Sequence, residues 1–169
     1  MKPISVIVCD RQRSEPTAPE LAEGTRPRVL LVMASKSRSP LLEGLEALGI
    51  EIVRVHNCSQ ARQILEVCPD VRAVLTELTL PDGSWLSMAD AVAANCVNTE
   101  VVVLARFVDA RQQRHVLDTG IYDLLVEPFT PGEVARVVGG AVLTSHRRYV
   151  GISPPVSGPR PAASNTHAA

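Results

Sequence analysis

Between Arg26 and about Arg148 the chain alternates apolar runs with amphipathic segments. Val29-Leu30-Leu31-Val32-Met33 is continuously apolar, the pattern of a strand covered on both faces. Four more runs follow at regular intervals: Ile50–Val55, which alternates in part as a strand nearer a sheet edge would, then Ala73–Leu78, Val101–Leu104 and Leu124–Val126. The segments between them read as helices. Ser37 or Ser39 is placed to cap the first, with Leu41, Leu42, Leu45 and Leu48 on one face and Gly49 as its stop. Ser59 is placed to cap a second that carries Ala61, Ile64, Leu65 and Cys68 and ends at Pro69. Leu80-Pro81-Asp82-Gly83 is a turn, and Met88, Ala89, Val92 and Ala93 mark the third helix. Asp109 caps a fourth with Val116 and Leu117 inward, closed by Gly120. Thr130-Pro131-Gly132-Glu133 is a capping box with proline at the first helical position, and it opens a fifth helix through Val134, Val137, Val138, Ala141 and Val142.

Strict alternation of five strands and five helices predicts an α/β fold: a doubly wound parallel sheet with helices on both faces, joined by right-handed crossovers. At this size the common strand order is 2-1-3-4-5, in which the working surface lies beyond the carboxyl ends of the strands. A site is therefore expected near Ala34 to Ser37, Glu77, Ala105 to Arg106, and Glu127 to Pro128.

Composition narrows the function. The chain has 169 residues, enough for one domain and too few for a second core once the flanks are set aside. Residues 1–26 read as an extension, ordered in part at most, in which Ile4 to Val8 could add an edge strand. Residues 27–148 form the folded domain, and residues 149–169 are a Pro/Ser/Ala-rich tail too poor in apolar surface to order. A net charge of -1 offers no long-range pull toward nucleic acid or anionic lipid. Cys9, Cys58, Cys68 and Cys96 match neither a redox pair nor a zinc knuckle, so small apolar packing in a reducing compartment is expected. No apolar run nears the roughly 20 residues that span a bilayer, and the N-terminus lacks a cleavage signal, so a cytoplasmic protein is expected.

Three segments carry a family resemblance. Gly120-Ile121-Tyr122-Asp123-Leu124-Leu125-Val126-Glu127-Pro128-Phe129-Thr130, Val74 to Gly83, and Arg28 to Val32 together resemble the receiver domain of bacterial response regulators, over about Arg26 to Leu143. The resemblance implies a flavodoxin-like fold and a cis peptide bond before Pro128. It also implies an aspartate that accepts a phosphoryl group, two acids that hold Mg²⁺, a Thr or Ser that contacts the phosphoryl group, a lysine that neutralises it, and a switch aromatic. At those positions this chain has Glu77, then Met33 and Ala34, then Ala105, Glu127 and Leu124. Phosphoryl transfer depends on positioning and charge neutralisation. Met33 and Ala34 supply no oxygen side chains for Mg²⁺, and like charges at about 4 Å repel by about 4 kcal/mol at an effective dielectric of 20. Phosphorylation at Glu77 is not expected, and neither is enzymatic activity.

The altered site has three alternative readings. Lys36 and Arg106 with Glu77 and Glu127 would form an internal ion cluster in place of Mg²⁺ and phosphate, or the four would be solvated loop charges. Glu77, Asp82 and Glu127 are three oxygens in one neighbourhood, a minor metal-site reading; no metal and no cofactor is the expectation. Trp85 is either an exposed partner anchor or a cover for the helix 3 seam, while Arg111 and Arg114 give helix 4 a basic face. In receivers the face from helix 4 to helix 5 resembles the usual contact surface. The expected function is a phosphorylation-independent pseudo-receiver, a protein-interaction module in or near a two-component phosphorelay. Its partner would be a sensor kinase, another signalling protein, or a second copy through the helix 4 to helix 5 face. A residual phosphoacceptor or metal-binding regulator, and a flavodoxin-like small-molecule binder, are the alternatives.

Overall fold

The computed structural model describes residues 26–34, 39–95 and 98–149. Within them run β1 (Arg28–Val32), α1 (Ser39–Glu46), β2 (Glu51–Val55), α2 (Cys58–Val67), β3 (Val71–Glu77), β4 (Thr79–Leu80), β5 (Gly83–Ser84), α3 (Trp85–Asn95), β6 (Glu100–Ala105), α4 (Ala110–Asp118), β7 (Asp123–Val126) and α5 (Pro131–Tyr149). Five of the strands form a parallel sheet in the order β2-β1-β3-β6-β7, the flavodoxin-like winding that the alternating pattern predicts.

The central strands β1, β3 and β6 are buried on both faces because they are apolar at successive positions, and side chains alternate across the pleat. Leu30, Val32, Val74, Val101 and Val103 point into one core, closed by Ala61 and Leu65 of α2, Met88 and Val92 of α3, and Val116 of α4. Val29, Leu31, Ala73, Leu75, Val102 and Leu104 point into the other, closed by Leu41 and Leu45 of α1 and by Val134, Val137, Val138 and Ala141 of α5. Each of the Val, Leu and Met side chains contributes about 1.5–3 kcal/mol by leaving water. On the second face α1 and α5 meet closely at Gly44. A Cβ there would lie 2.6 Å from the Pro131 carbonyl oxygen and 2.7 Å from the Val134 Cβ, so only glycine lets the helices approach so far.

Of the capping signals, Ser37 lies outside the described residues and Ser39 is the first residue of α1; the others are realised with one change. Thr130 and Glu133 bond reciprocally at the start of α5, and Asp109 with Gln112 does the same for α4. Gly49 ends the turn after α1 with φ at 61°, and Gly120 follows α4 with φ at 85°, backbone that glycine adopts without strain. The second helix is capped by Asn57, whose side chain accepts from the Gln60 N–H, and not by Ser59, which lies inside the first turn.

Other expectations shift by one or two positions. Ala91 and not Ala93 faces the core from α3, since Ala91 and Val92 follow the buried Met88 at helical spacing. Leu117 is 42% exposed, leaving Val116 as the buried residue of α4. The third strand starts at Val71, where Thr99 Oγ1 donates to the Val71 carbonyl. The turn after it is a small hairpin, β4 with β5, around Pro81 and Asp82. Cys58 and Cys68 are buried free thiols, in keeping with a packing role. Residues 1–25, which include Ile4 to Val8 and Cys9, lie outside the described residues, as do Cys96 and residues 150–169. Among the described residues no helix is long and apolar enough to cross a membrane.

Candidate functional site

Parallel register brings the altered positions to one edge. Val32 is level with both Val55 and Thr76, Glu77 with Leu104, and Ala105 with Val126, so Met33, Ala34, Glu77, Ala105 and Glu127 all end or follow strands at the carboxyl edge. The peptide bond between Glu127 and Pro128 is cis, as the family resemblance implies.

The chemistry at this edge is turned inward on the protein. The Ala34 N–H donates to Glu77 Oε2 at 2.9 Å, so the acid that ends β3 reaches back to the backbone following β1. The Met33 side chain is fully buried, and its carbonyl accepts from Nδ1 of His56 at 3.1 Å. The His56 N–H in turn donates to Gln60 Oε1 at 2.9 Å, which ties the loop after β2 to the first turn of α2. The Glu127 N–H donates to the Ala105 carbonyl at 2.9 Å, and Ala105 is buried. Leu124, at the position of the switch aromatic, is half-buried and packs against the core under α2, α3 and α4.

The Asp82 carboxylate is bonded to a helix end. From the hairpin turn its carboxylate accepts from the Cys58 N–H at 2.7 Å, the Ser59 N–H at 2.9 Å and the Ser59 hydroxyl at 2.7 Å. These bonds at the N-terminus of α2 hold its carboxyl well below the usual carboxylate range. The oxygen counted with Glu77 and Glu127 as a metal ligand is therefore committed to a helix end. Among the described residues no group of three or more His, Cys, Asp or Glu is placed to hold a metal ion.

Lys36 lies outside the described residues, so the ion cluster proper is not described; Arg106 is exposed and, among the described residues, pairs with neither Glu77 nor Glu127. For Trp85 the structure selects one of its two readings. The residue is 7% exposed, so it covers the seam between α3 and α4 and is not an exposed anchor. Its ring meets that of His115 edge-on, with centroids 5.9 Å apart. Arg111 and Arg114 are exposed on α4, and Phe107 ahead of that helix is 79% exposed.

Two contributors escaped the sequence reading. His56 carried no motif, because its partner is a backbone carbonyl 23 residues away. The capping role of Asp82 spans a similar gap to Cys58 and Ser59, and no local spacing signals it.

A doubly wound parallel sheet whose candidate residues gather at the carboxyl edge defines the class. No protein-family model matches the sequence, and no curated protein does. Among solved structures the chain is similar to a signal receiver domain from Vibrio parahaemolyticus, with 22% identity, TM-score 0.67, and 76% of this chain and 99% of that one covered. It is also similar to the signal receiver domain of an HD domain-containing protein from Pseudomonas fluorescens Pf-5, with 20% identity, TM-score 0.66, and coverage of 79% and 98%. A third likeness is the beryllofluoride-activated NtrC4 receiver domain dimer, at 21% identity, TM-score 0.62, and coverage of 70% and 98%. The chain has the fold of response-regulator receiver domains.

Proposed function

We propose that this chain is a pseudo-receiver that works by protein contact, without phosphorylation, in or beside two-component signalling. One observation carries the reading: the Glu77 carboxylate accepts from the Ala34 N–H. The carboxylate at the acceptor position thus bonds to backbone where the family resemblance calls for Mg²⁺ ligands. Glu127 adds to it, since a carboxylate in place of a lysine repels an incoming dianion. Such a domain catalyses no phosphoryl transfer.

Its output is a surface. Arg111 and Arg114 give α4 an exposed basic face with Phe107 close by in sequence, chemistry suited to an acidic partner with an apolar contact. A sensor kinase, another cytoplasmic signalling protein, or a second copy through the α4 to α5 face would be such a partner.

The test is incubation of the full chain with acetyl phosphate and Mg²⁺, followed by intact-mass measurement. The mass is expected to stay unchanged. A gain of one phosphoryl group, lost in Glu77→Gln, overturns the reading in favour of a residual phosphoacceptor.

A further inference from the structure

Helix α5 outruns its neighbour. It has 19 residues, about 28 Å at a rise of about 1.5 Å per residue, whereas α1 beside it has 8. Both start at the carboxyl edge and run back along the sheet, and they meet where Gly44 lies against Pro131 and Val134. The last touch is at Gly139, where a Cβ would lie 3.4 Å from Cδ2 of Leu48. Beyond it α5 runs past the end of α1, and Leu143, one turn after Gly139, is left 61% exposed. Val142 and Leu48, both half-buried against the second core, bring that core out to the surface beside it.

Opposite charges flank this apolar patch along the helix axis. On the side of the carboxyl edge lie the exposed acids Glu43 and Glu46 of α1 and Glu133 of α5, with Arg136 the one exposed cation among them on these two helices. On the far side lie His146 and Arg147, exposed in the last turn of α5. Arg148 turns instead to the sheet, where it pairs with Glu100 at 2.9 Å on the rim of a cavity of about 340 Å³ between α3, β6 and the turn after α4. That pairing fixes the rotation of the helix end and directs Arg147, about 100° around the axis, away from the sheet. Among the described residues Glu43, Glu46 and Arg147 form no ion pair.

One exposed leucine is ordinary on a protein surface, and so are solvated charges. Their order is the informative part. A surface that is acidic at one end, apolar in the middle and basic at the other complements itself when turned end for end, which is what a two-fold axis across the helix does. We propose that a second copy of this chain docks on this surface with the two α5 helices antiparallel. Leu143 of each copy then sits at Gly139 of the other, and His146 and Arg147 of each face the acids of the other. The contact lies on the α1 side of α5, so Arg111 and Arg114 of α4 stay open to an acidic partner. It does not rest on the reading of the altered acceptor position.

The experiment is sedimentation equilibrium of the full chain across the micromolar range, without phosphoryl donor. A monomer–dimer equilibrium that weakens with added salt is expected. Leu143→Asp, at an exposed position, should weaken the dimer about tenfold or more with the circular dichroism spectrum unchanged. Reversing the acids alone (Glu43→Lys with Glu46→Lys) or the bases alone (His146→Glu with Arg147→Glu) should weaken it severalfold. All four changes together should restore it, a recovery that a misfolded variant would not give. The proposal is overturned by a monomer at every concentration, by an undiminished dimer in Leu143→Asp, or by a fourfold variant no tighter than its halves. A dimer lost on reversing Arg111 and Arg114 but kept in Leu143→Asp would overturn it in favour of the α4 to α5 face.

Discussion

Strand β6 runs from Glu100 to Ala105, and its two ends lie in opposite kinds of surroundings. At the Ala105 end, backbone groups find partners within the chain: the Ala34 N–H has Glu77, the Met33 carbonyl has His56, the Glu127 N–H has Ala105, and the first amides of α2 have Asp82. At the Glu100 end the accounting does not close. Glu100 Oε1 and Nε of Arg28 are the buried side-chain atoms among the described residues that lack a hydrogen bond, although Arg28 holds Glu51 and Asp70 at 3.1 and 2.9 Å. An unmet buried polar group costs about 1–3 kcal/mol. Among the described residues, backbone groups at the edge where the resemblance would seek chemistry are met by the protein's own groups, whereas the opposite edge has an opening and a buried acid whose ion pair with Arg148 lacks hydrogen-bond geometry.

The comparison breaks first if the closed edge is pushed apart. Gly44→Ala forces a Cβ against the Pro131 carbonyl and Val134, at the start of α5. Overpacking of this kind should cost about 1–3 kcal/mol in urea unfolding. A neutral result would mean that α1 and α5 separate easily and that the closure is loose.

Next in size is Asp82→Ala, which removes three bonds from the N-terminus of α2. The variant should melt lower than wild type and exchange the amides of Cys58 and Ser59 faster. Because the folded carboxyl titrates below its unfolded value, its stabilisation is complete above the ordinary carboxylate range and is lost as pH falls through the folded value. The difference between the two proteins should therefore persist at neutral pH and shrink only in strong acid. A difference that grew with acidification would contradict the cap.

Legibility in the sequence follows the range of the interaction concerned. The central parallel strands are readable because burial on both faces needs continuous apolar runs such as Val29 to Met33, and that is a local property. The capping box at Thr130 and the glycine stop at Gly49 were readable for the same reason. Ser59 was read as a cap when Asn57 is the cap, since both are good capping residues two positions apart and only packing of Cys58 and Ala61 fixes the phase. Trp85 could not be assigned to core or surface, because its burial depends on α4 lying over it. At the altered edge the substitutions themselves were plain, but the bond between Glu77 and Ala34 spans 43 residues and belongs to tertiary structure. Nothing local announced Glu100, an acid preceding an apolar strand and facing a cavity that four elements enclose.

A smaller effect tests the open edge through pH. The Glu100 carboxyl is raised by burial, so between its unfolded and folded values the native state holds a proton that the unfolded chain has released. Wild type should lose stability as pH rises across that window, whereas Glu100→Gln, which does not titrate there, should give a flatter curve. The variant then gains on wild type toward neutral pH. A parallel pair of curves would show that Arg148 already compensates the buried charge in full.

The smallest expected change is at Glu77. Its bond to the Ala34 N–H lies in an exposed setting, where water replaces a lost acceptor, so Glu77→Ala should cost about 0.5–1 kcal/mol. The informative arm is the same unfolding curve with Mg²⁺ added. A ligand that binds only the folded state raises stability in proportion to the logarithm of its saturation. If the edge is closed by chemistry as well as by geometry, removing Glu77 creates no Mg²⁺ site, because Met33, Ala34 and Ala105 offer only backbone oxygens and Asp82 is held by α2, which leaves the Glu127 carboxylate without a second one among the described residues of that edge. Mg²⁺ should then leave both proteins unmoved. Stabilisation of wild type by Mg²⁺, abolished in Glu77→Ala, would instead make Glu77 a cation ligand whose bond to Ala34 yields to the metal, and the two ends of β6 would no longer differ in kind.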